Sequence, residues 1–251
     1  MTTNGAASYH EVADKLRQQI ASGGLPPGAD VPSQTELAAQ YGVGQGTARL
    51  ALNALVAEGL ITSGRGRGRQ VRDRRTLYVY ASQSESMERR ADATSDAWMT
   101  DVREQGLEPA QDIRVELVKA GPEIGRVLNL DPGALVAVRR RLRTVNGRPD
   151  NLNDTYYDHA LALEIPEILS PDDVTQGIVA LMRERGYVQV RYTHELRWRL
   201  PTPDEAARLE LPPGVAVLVQ MNTGYTKDRP VKTTVTTWPG DSHVMIYELP
   251  A

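Results

Sequence analysis

The chain has 251 residues, 40% hydrophobic and 24% charged, enough for one large globular domain or one small and one medium domain. It holds no cysteine, which excludes disulfides, thiolate metal sites and cysteine nucleophiles, and its four histidines (His10, His159, His194, His243) lack zinc-ligand spacing, so no metal or cofactor is expected. Net charge is −3, which argues against a general polyanion coat, yet residues 1–75 carry nine Arg and Lys against six Asp and Glu, and six arginines fall between Arg65 and Arg75.

Ser8 and Glu11 have capping-box spacing, and Tyr9, Val12, Ala13, Leu16 and Ile20 recur on one helical face before Gly23-Gly24 stops the run. A turn at Leu25-Pro26-Pro27-Gly28 precedes a second capping box, Ser33 to Glu36, which opens a short helix closing at Tyr41-Gly42. A third helix runs from about Gln45 to Glu58, with Ala48, Leu52, Leu55 and Val56 as its buried stripe. Two short strands, Leu60–Thr62 and Gln70-Val71, flank a glycine–arginine tip. Helix, helix, tight turn, helix and a two-stranded wing make a winged helix-turn-helix, whose second helix of the motif enters the major groove. Arg49 is then the best base reader, because a guanidinium bonds guanine O6 and N7 in bidentate fashion, and Gln45 lies one turn earlier on the same flank.

The stretch VPSQTELAAQYGVGQGTARLALNALVAEGLITSGRGRGRQV closely resembles the GntR-type winged helix, with Pro32, Ser33, Leu37, Ala38, Gly42, Val43, Thr47, Arg49, Glu58-Gly59-Leu60, Gly66, Gly68 and Val71 in register. Gln34 stands where the family has Glu, and Gly44 where it has Ser, which bears on the operator sequence rather than on DNA binding. The resemblance implies that Ser33, Thr47, Arg49 and Gly66 approach DNA. Gln34 and Thr35 beside Ser33, and Arg65, Arg67 and Arg69 on the wing, complete the expected contact set.

Residues 73–92 read as a linker holding one strand at Leu77–Tyr80, between a DNA-binding domain at 1–72 and a second domain at 93–251. In the latter a helix is expected near Thr94–Gln105, with Trp98 and Val102 inward. A strand at Ile113–Val118, a helix at Pro122–Leu130 and strands at Leu135–Thr144 and Pro149–Tyr157, joined by Asn146-Gly147, follow. Then come a helix at Thr175–Arg185, a strand at Val188–Leu200, a helix at Pro203–Leu209 and strands at Ala216–Tyr225 and Val231–Trp238. A weak internal echo of helix, L-x-P-G turn, strand and hairpin predicts an α+β domain, a mostly antiparallel sheet with helices on one side.

This order resembles the UTRA effector domain of the HutC branch of GntR regulators, a chorismate-lyase-like fold. The resemblance implies an effector site at Arg141, Arg143, Asn153, Thr175, Lys232 (where relatives carry Glu) and Trp238. Strand periodicity adds Arg139 to the face of Arg141 and Arg143, and Arg191 and His194 lie on a neighbouring strand. Converging cations favour an anionic small molecule. The expected whole is a homodimeric repressor on a pseudo-palindromic operator in double-stranded DNA, modulated by that effector. An architectural DNA binder without effector is the alternative, and a chorismate-lyase-like enzyme is a weaker one, since no Ser/His/Asp set or metal cluster assembles. The first ten residues lack the charged and apolar regions of a leader and no run spans a membrane, so a cytoplasmic location is expected.

Overall fold

The computed structural model describes residues 7–62, 68–72, 76–82, 97–174 and 176–248. The chain divides into two compact units, one of Met1–Arg75 with Leu211–Val215 and one of Thr76–Glu210 with Ala216–Ala251. The first holds α1 (Tyr9–Ala21), β1 (Asp30–Val31), α2 (Gln34–Tyr41), α3 (Gln45–Ala57) and β2 (Arg69–Gln70). Ser8 and Ser33 cap α1 and α2 with both halves of the expected capping boxes, each Ser accepting from the Glu amide three residues on while that Glu accepts from the Ser amide. Gly42 ends α2 with φ +64°, a left-handed conformation that turns the chain toward α3 at little cost only without a Cβ.

Val12, Ala13 and Leu16 of α1 pack with Leu37 of α2 and with Ala48, Ala51, Leu52 and Leu55 of α3, all buried, as the 3.6-residue period requires. Arg17 reaches from α1 to Glu58 beyond α3 with two hydrogen bonds of 2.6 and 2.8 Å. Residues 60–62 pair with residues 70–72 as expected, through Thr62 N–H to Gln70 O and Arg72 N–H to Leu60 O, and the wing gains a further strand. Arg69–Gln70 pairs with β1, a strand the sequence pattern did not separate from the preceding turn, while Ile61 bridges Val71 on the other side. Two residues are too few for a period to register.

The second unit is built on one six-stranded antiparallel sheet in the order β4-β5-β6-β9-β8-β7, an α+β architecture. Its elements in chain order are β3 (Leu77–Tyr80), α4 (Ala97–Glu104), β4 (Pro109–Lys119), α5 (Pro122–Leu128), β5 (Leu135–Val145), β6 (Arg148–Asp158) and α6 (His159–Glu164). A 3-10 turn (Pro166–Ile168) leads to α7 (Ile178–Glu184), β7 (Arg191–Arg199), α8 (Pro203–Arg208), β8 (Val217–Tyr225), β9 (Pro230–Pro239) and β10 (His243–Ile246). Asn146 and Gly147, with φ of +50° and +73°, form the tight turn that joins β5 to β6.

Helices cover both faces of the sheet, not one. Ala137 and Tyr157 pack under α6, the 3-10 turn and α7, while their neighbours Val136 and Tyr156 face Val127 and Leu128 of α5 on the opposite side. Side chains alternate across a strand, so consecutive residues belong to different cores. β3, inside the stretch expected to be a linker, pairs in parallel with β10, the last strand, with His243 opposite Leu77 and Ile246 opposite Tyr80. Residues 73–75 and 83–92 of that stretch, and residues 94–96 of the expected helix, lie outside the described residues. No described helix is long and apolar enough to cross a membrane.

Candidate nucleic-acid interface and ligand cavity

The described DNA contacts expected from the sequence are exposed or half-buried in the first unit. Gln45 and Arg49 are exposed on the same flank of α3, one turn apart, while Ala48 between them is fully buried. Thr47 is half-buried on the first turn of α3. Gly44 precedes the helix with no side-chain cap, and a Cβ added at Gly44 or Gly46 would meet nothing, so the start of this helix is open. Ser33 and Thr35 are exposed at the start of α2 with Gln34 half-buried, and Ser33 Oγ already serves as the α2 cap. Arg69 lies along the wing with one guanidinium nitrogen 3.4 Å from Asn53 Oδ1 of α3. Arg65, Gly66 and Arg67 lie outside the described residues.

In the second unit a cavity of about 230 Å³ opens on the α6–α7 face of the sheet. Strand register explains its floor. Arg139, Thr155, Thr234, Asn222 and His194 stand opposite one another across β5, β6, β9, β8 and β7, and Arg141, Asn153, Thr236 and Gln220 form the next row. All nine line the cavity, together with Arg143, Lys232 and Trp238. Val79 of β3, Ala81 just beyond it, and Trp98 and Asp101 of α4 complete the wall from outside the six-stranded sheet.

The floor is wired internally. Asn153 accepts from Arg141 at 3.2 Å and donates to Thr236 Oγ at 2.8 Å, and the Thr155 and Thr234 hydroxyls pair at 3.1 Å. Gln220 Nε2 lies 2.8 Å from both His194 Nδ1 and the Tyr247 hydroxyl. Arg143 stacks over the Trp98 ring at 4.7 Å, a cation–π contact that holds its charge at the rim of the polar rows.

The three arginines of β5 share a face but have different tasks. Arg139, 1% exposed, donates to the backbone carbonyls of Glu167, Ile168, Ser170 and Asp172, fastening the segment after the 3-10 turn. Burial, and then the neighbouring Arg141 charge, pull its pKa below the usual guanidinium value. Arg141 is 8% exposed, and its bonds go only to the neutral Asn153 and Thr155. Its Nε has no partner, and among the described residues no carboxylate pairs with it. The Trp238 indole nitrogen, also buried beside the cavity, likewise has no hydrogen-bond partner.

Arg191 stands apart from the other expected effector residues. It is exposed and stacked on the Tyr225 ring at 3.7 Å, outside the cavity lining. His194 is three residues away, an odd spacing that sends the two side chains to opposite faces of β7. Thr175 lies outside the described residues, although Val174, Gln176 and Gly177 line the cavity. The sequence reading missed Gln220, Asn222, Thr234 and Thr236. The alternation that singled out Arg139, Arg141 and Arg143 marks Lys232, Thr234, Thr236 and Trp238 as one face of β9 just as well. Among the described residues no cluster of metal-ligating side chains is present.

Residues 8–71 match the gntR family of bacterial regulatory proteins and residues 104–244 match the UTRA domain. An uncharacterized HTH-type transcriptional regulator of Rhizobium meliloti, RB1450, is 30% identical over 240 residues, 94% of this chain and 93% of that protein. The HTH-type transcriptional repressor NagR of Bacillus subtilis is 26% identical over 221 residues, 88% of this chain and 85% of its own length. The crystal structure of PhnF from Mycobacterium smegmatis superposes with a TM-score of 0.58 at 21% identity, covering 96% of this chain and 99% of that one.

Proposed function

Since the chain belongs to the GntR family of bacterial regulatory proteins and carries a UTRA domain, so that it is a transcriptional regulator, we propose that it represses its target by binding a pseudo-palindromic operator as a homodimer and that a small anionic ligand in the UTRA cavity sets its operator affinity. Gln45 and Arg49 read bases from α3 in the major groove, while Ser33, Gln34, Thr35, Thr47, Arg69 and the wing residues Arg65, Gly66 and Arg67 fix the register on phosphates. Repression is the activity named for the Bacillus subtilis relative.

One observation carries the ligand reading: the Arg141 guanidinium is buried in a cavity without a carboxylate partner. An unpaired buried charge is costly, and a carboxylate or phosphate entering the cavity relieves that cost through charge-assisted hydrogen bonds. Arg143 and Lys232 add positive charge to the same cavity, and Asn153, Thr155, Thr234 and Thr236 offer groups that fix the ligand's orientation. Binding that differs between two arrangements of the DNA-binding heads shifts operator affinity, and by linkage the operator shifts ligand affinity equally.

The test is selection of genomic fragments by the full chain, followed by titration of the selected operator with a panel of small carboxylates and phosphates. At least one anion should change operator affinity severalfold, and neutral analogues of it should not. A chain that prefers no fragment over random competitor would end the regulator mechanism. An operator whose affinity no anion alters would end the ligand half of the proposal.

A further inference from the structure

We infer that Gly46 and Leu50 form an apolar step on the reading face of α3 that receives the C5-methyl group of a thymine beside the guanine taken by Arg49. This deepens the proposed operator binding and rests on it. Leu50 is 50% exposed, and among the described residues of the first unit no other leucine, isoleucine, valine or tyrosine is exposed. At 3.6 residues per turn Leu50 stands about 200° round the helix from Ala48 and from Leu52, both fully buried, so it points away from the core. Gly46 lies one turn earlier on the same strip, also exposed. The strip runs on to Asn53, whose Oδ1 lies 3.4 Å from the Arg69 guanidinium, so the step sits between the start of α3 and the wing. Gln45 and Arg49, the residues just before Gly46 and Leu50, flank it along one side.

Neither residue is explained inside the protein. Glycine within a helix is destabilising relative to alanine. Gly46 has no left-handed φ, and a Cβ added to it would meet nothing, so neither the backbone nor a neighbouring side chain demands it. What the missing side chain permits lies outside the protein, a close approach of the helix backbone to a partner surface. Leu50 has no polar side-chain atom, so it bonds neither phosphates nor the polar edges of bases. The methyl group that the major groove presents is the thymine C5 methyl, and apolar side chains recognise it by contact. Consecutive Cα atoms are about 3.8 Å apart and successive bases of one strand about 3.4 Å, so neighbours on the helix meet neighbours in the groove. With Arg49 on guanine, Leu50 falls on an adjacent base pair. One side chain reads by hydrogen bonds and the next by burying a methyl.

The test uses the operator fragment selected by the full chain, with each thymine in turn and its symmetry mate replaced by deoxyuridine, which removes the methyl and keeps O4. Gel-shift titration of the parent should find one thymine pair whose replacement weakens binding at least about tenfold, a methyl contact being lost in each half-site. Leu50→Ala should bind the unmodified operator at least about tenfold more weakly and distinguish thymine from deoxyuridine at that pair by less than about twofold. Gly46→Ala, the better helix former, should melt no lower than the parent yet bind at least about tenfold more weakly. Circular dichroism checks that each variant is folded. Deoxyuridine that is silent at every position, a methyl effect that persists in Leu50→Ala, or a Gly46→Ala protein that binds as the parent does would each overturn the step. A parent that selects no operator at all would instead overturn the regulatory reading, and the step with it.

Discussion

Arg49, Arg139 and Arg141 are the same residue type in three environments, and each makes a separate prediction. Arg49 is exposed beside a fully buried Ala48, so Arg49→Ala removes the proposed base reader without disturbing the core. Specific operator affinity should fall by about 1–3 kcal/mol in a gel-shift titration with the melting temperature unchanged. Arg141→Met removes a buried charge with no carboxylate partner. Thermal stability of the unliganded protein should hold or rise, because apolar replacement of poorly compensated buried charge is often neutral or stabilising. The same variant should lose every anion-induced shift in melting temperature that the parent displays. Arg139→Met removes the Arg139 donor from the carbonyls of Ile168, Ser170 and Asp172, while Glu167 O keeps the Ser170 amide, at about 1–3 kcal/mol for each group that stays buried and unsatisfied. Denaturant unfolding should show the loss. In the sequence these β5 arginines were indistinguishable, because period-2 alternation gives the face but not the depth. The carbonyls that occupy Arg139 come from a segment with no period of its own.

At the level of elements, what could be read were the patterns that repeat or cap. The capping boxes at Ser8 and Ser33 fixed the starts of α1 and α2, and alternation located β5, β6, β8 and β9. Ser8 caps α1 away from the reading flank of α3, so Ser8→Ala should lower stability by about 1 kcal/mol in a thermal melt and leave operator affinity as it was. Thr202 and Glu205 form a third box at α8, which the sequence reading passed over. Hydrogen bonding and charge from Arg199 hold the Glu205 carboxyl below its ordinary 4.5, with the Thr202 cap adding to this. A carboxyl depressed in the folded state contributes stability that is present above its unfolded value and is lost as the pH falls through the folded one. Among the elements of two to six residues, β3 and α8 were legible, but β1, β10 and α6 stayed hidden, with too few residues for a period to show. Arg191 falls outside the cavity lining for a reason the sequence did contain, an odd spacing from His194 on one strand.

Across the whole molecule, the order of a winged helix followed by an α+β domain was legible because each half repeats its own period many times. Helices on both faces of the sheet were not legible, since hydrophobic runs show that a strand is covered but not by which helix. The basic first 75 residues on an otherwise acidic chain predict a salt dependence. The logarithm of operator affinity should fall linearly with the logarithm of salt concentration, by about 0.9 for each phosphate neutralised. Arg69→Ala should flatten that line without changing which fragments are selected.

The parallel ribbon of β3 and β10 joins residues 77–80 to residues 243–246, nearly the full span of the second unit. Chain leaves the ribosome from the N-terminus at about 5–20 residues per second, so α1 to α3 can close their core long before β10 exists. Val79 and Ala81, which wall the cavity, therefore wait for the final residues to emerge. Newly made protein thus closes its first unit before its cavity is complete, and, on the proposed function, a chain cut after Ser242 should still bind its operator but lose every anion-induced change in operator affinity, which a gel-shift titration checks.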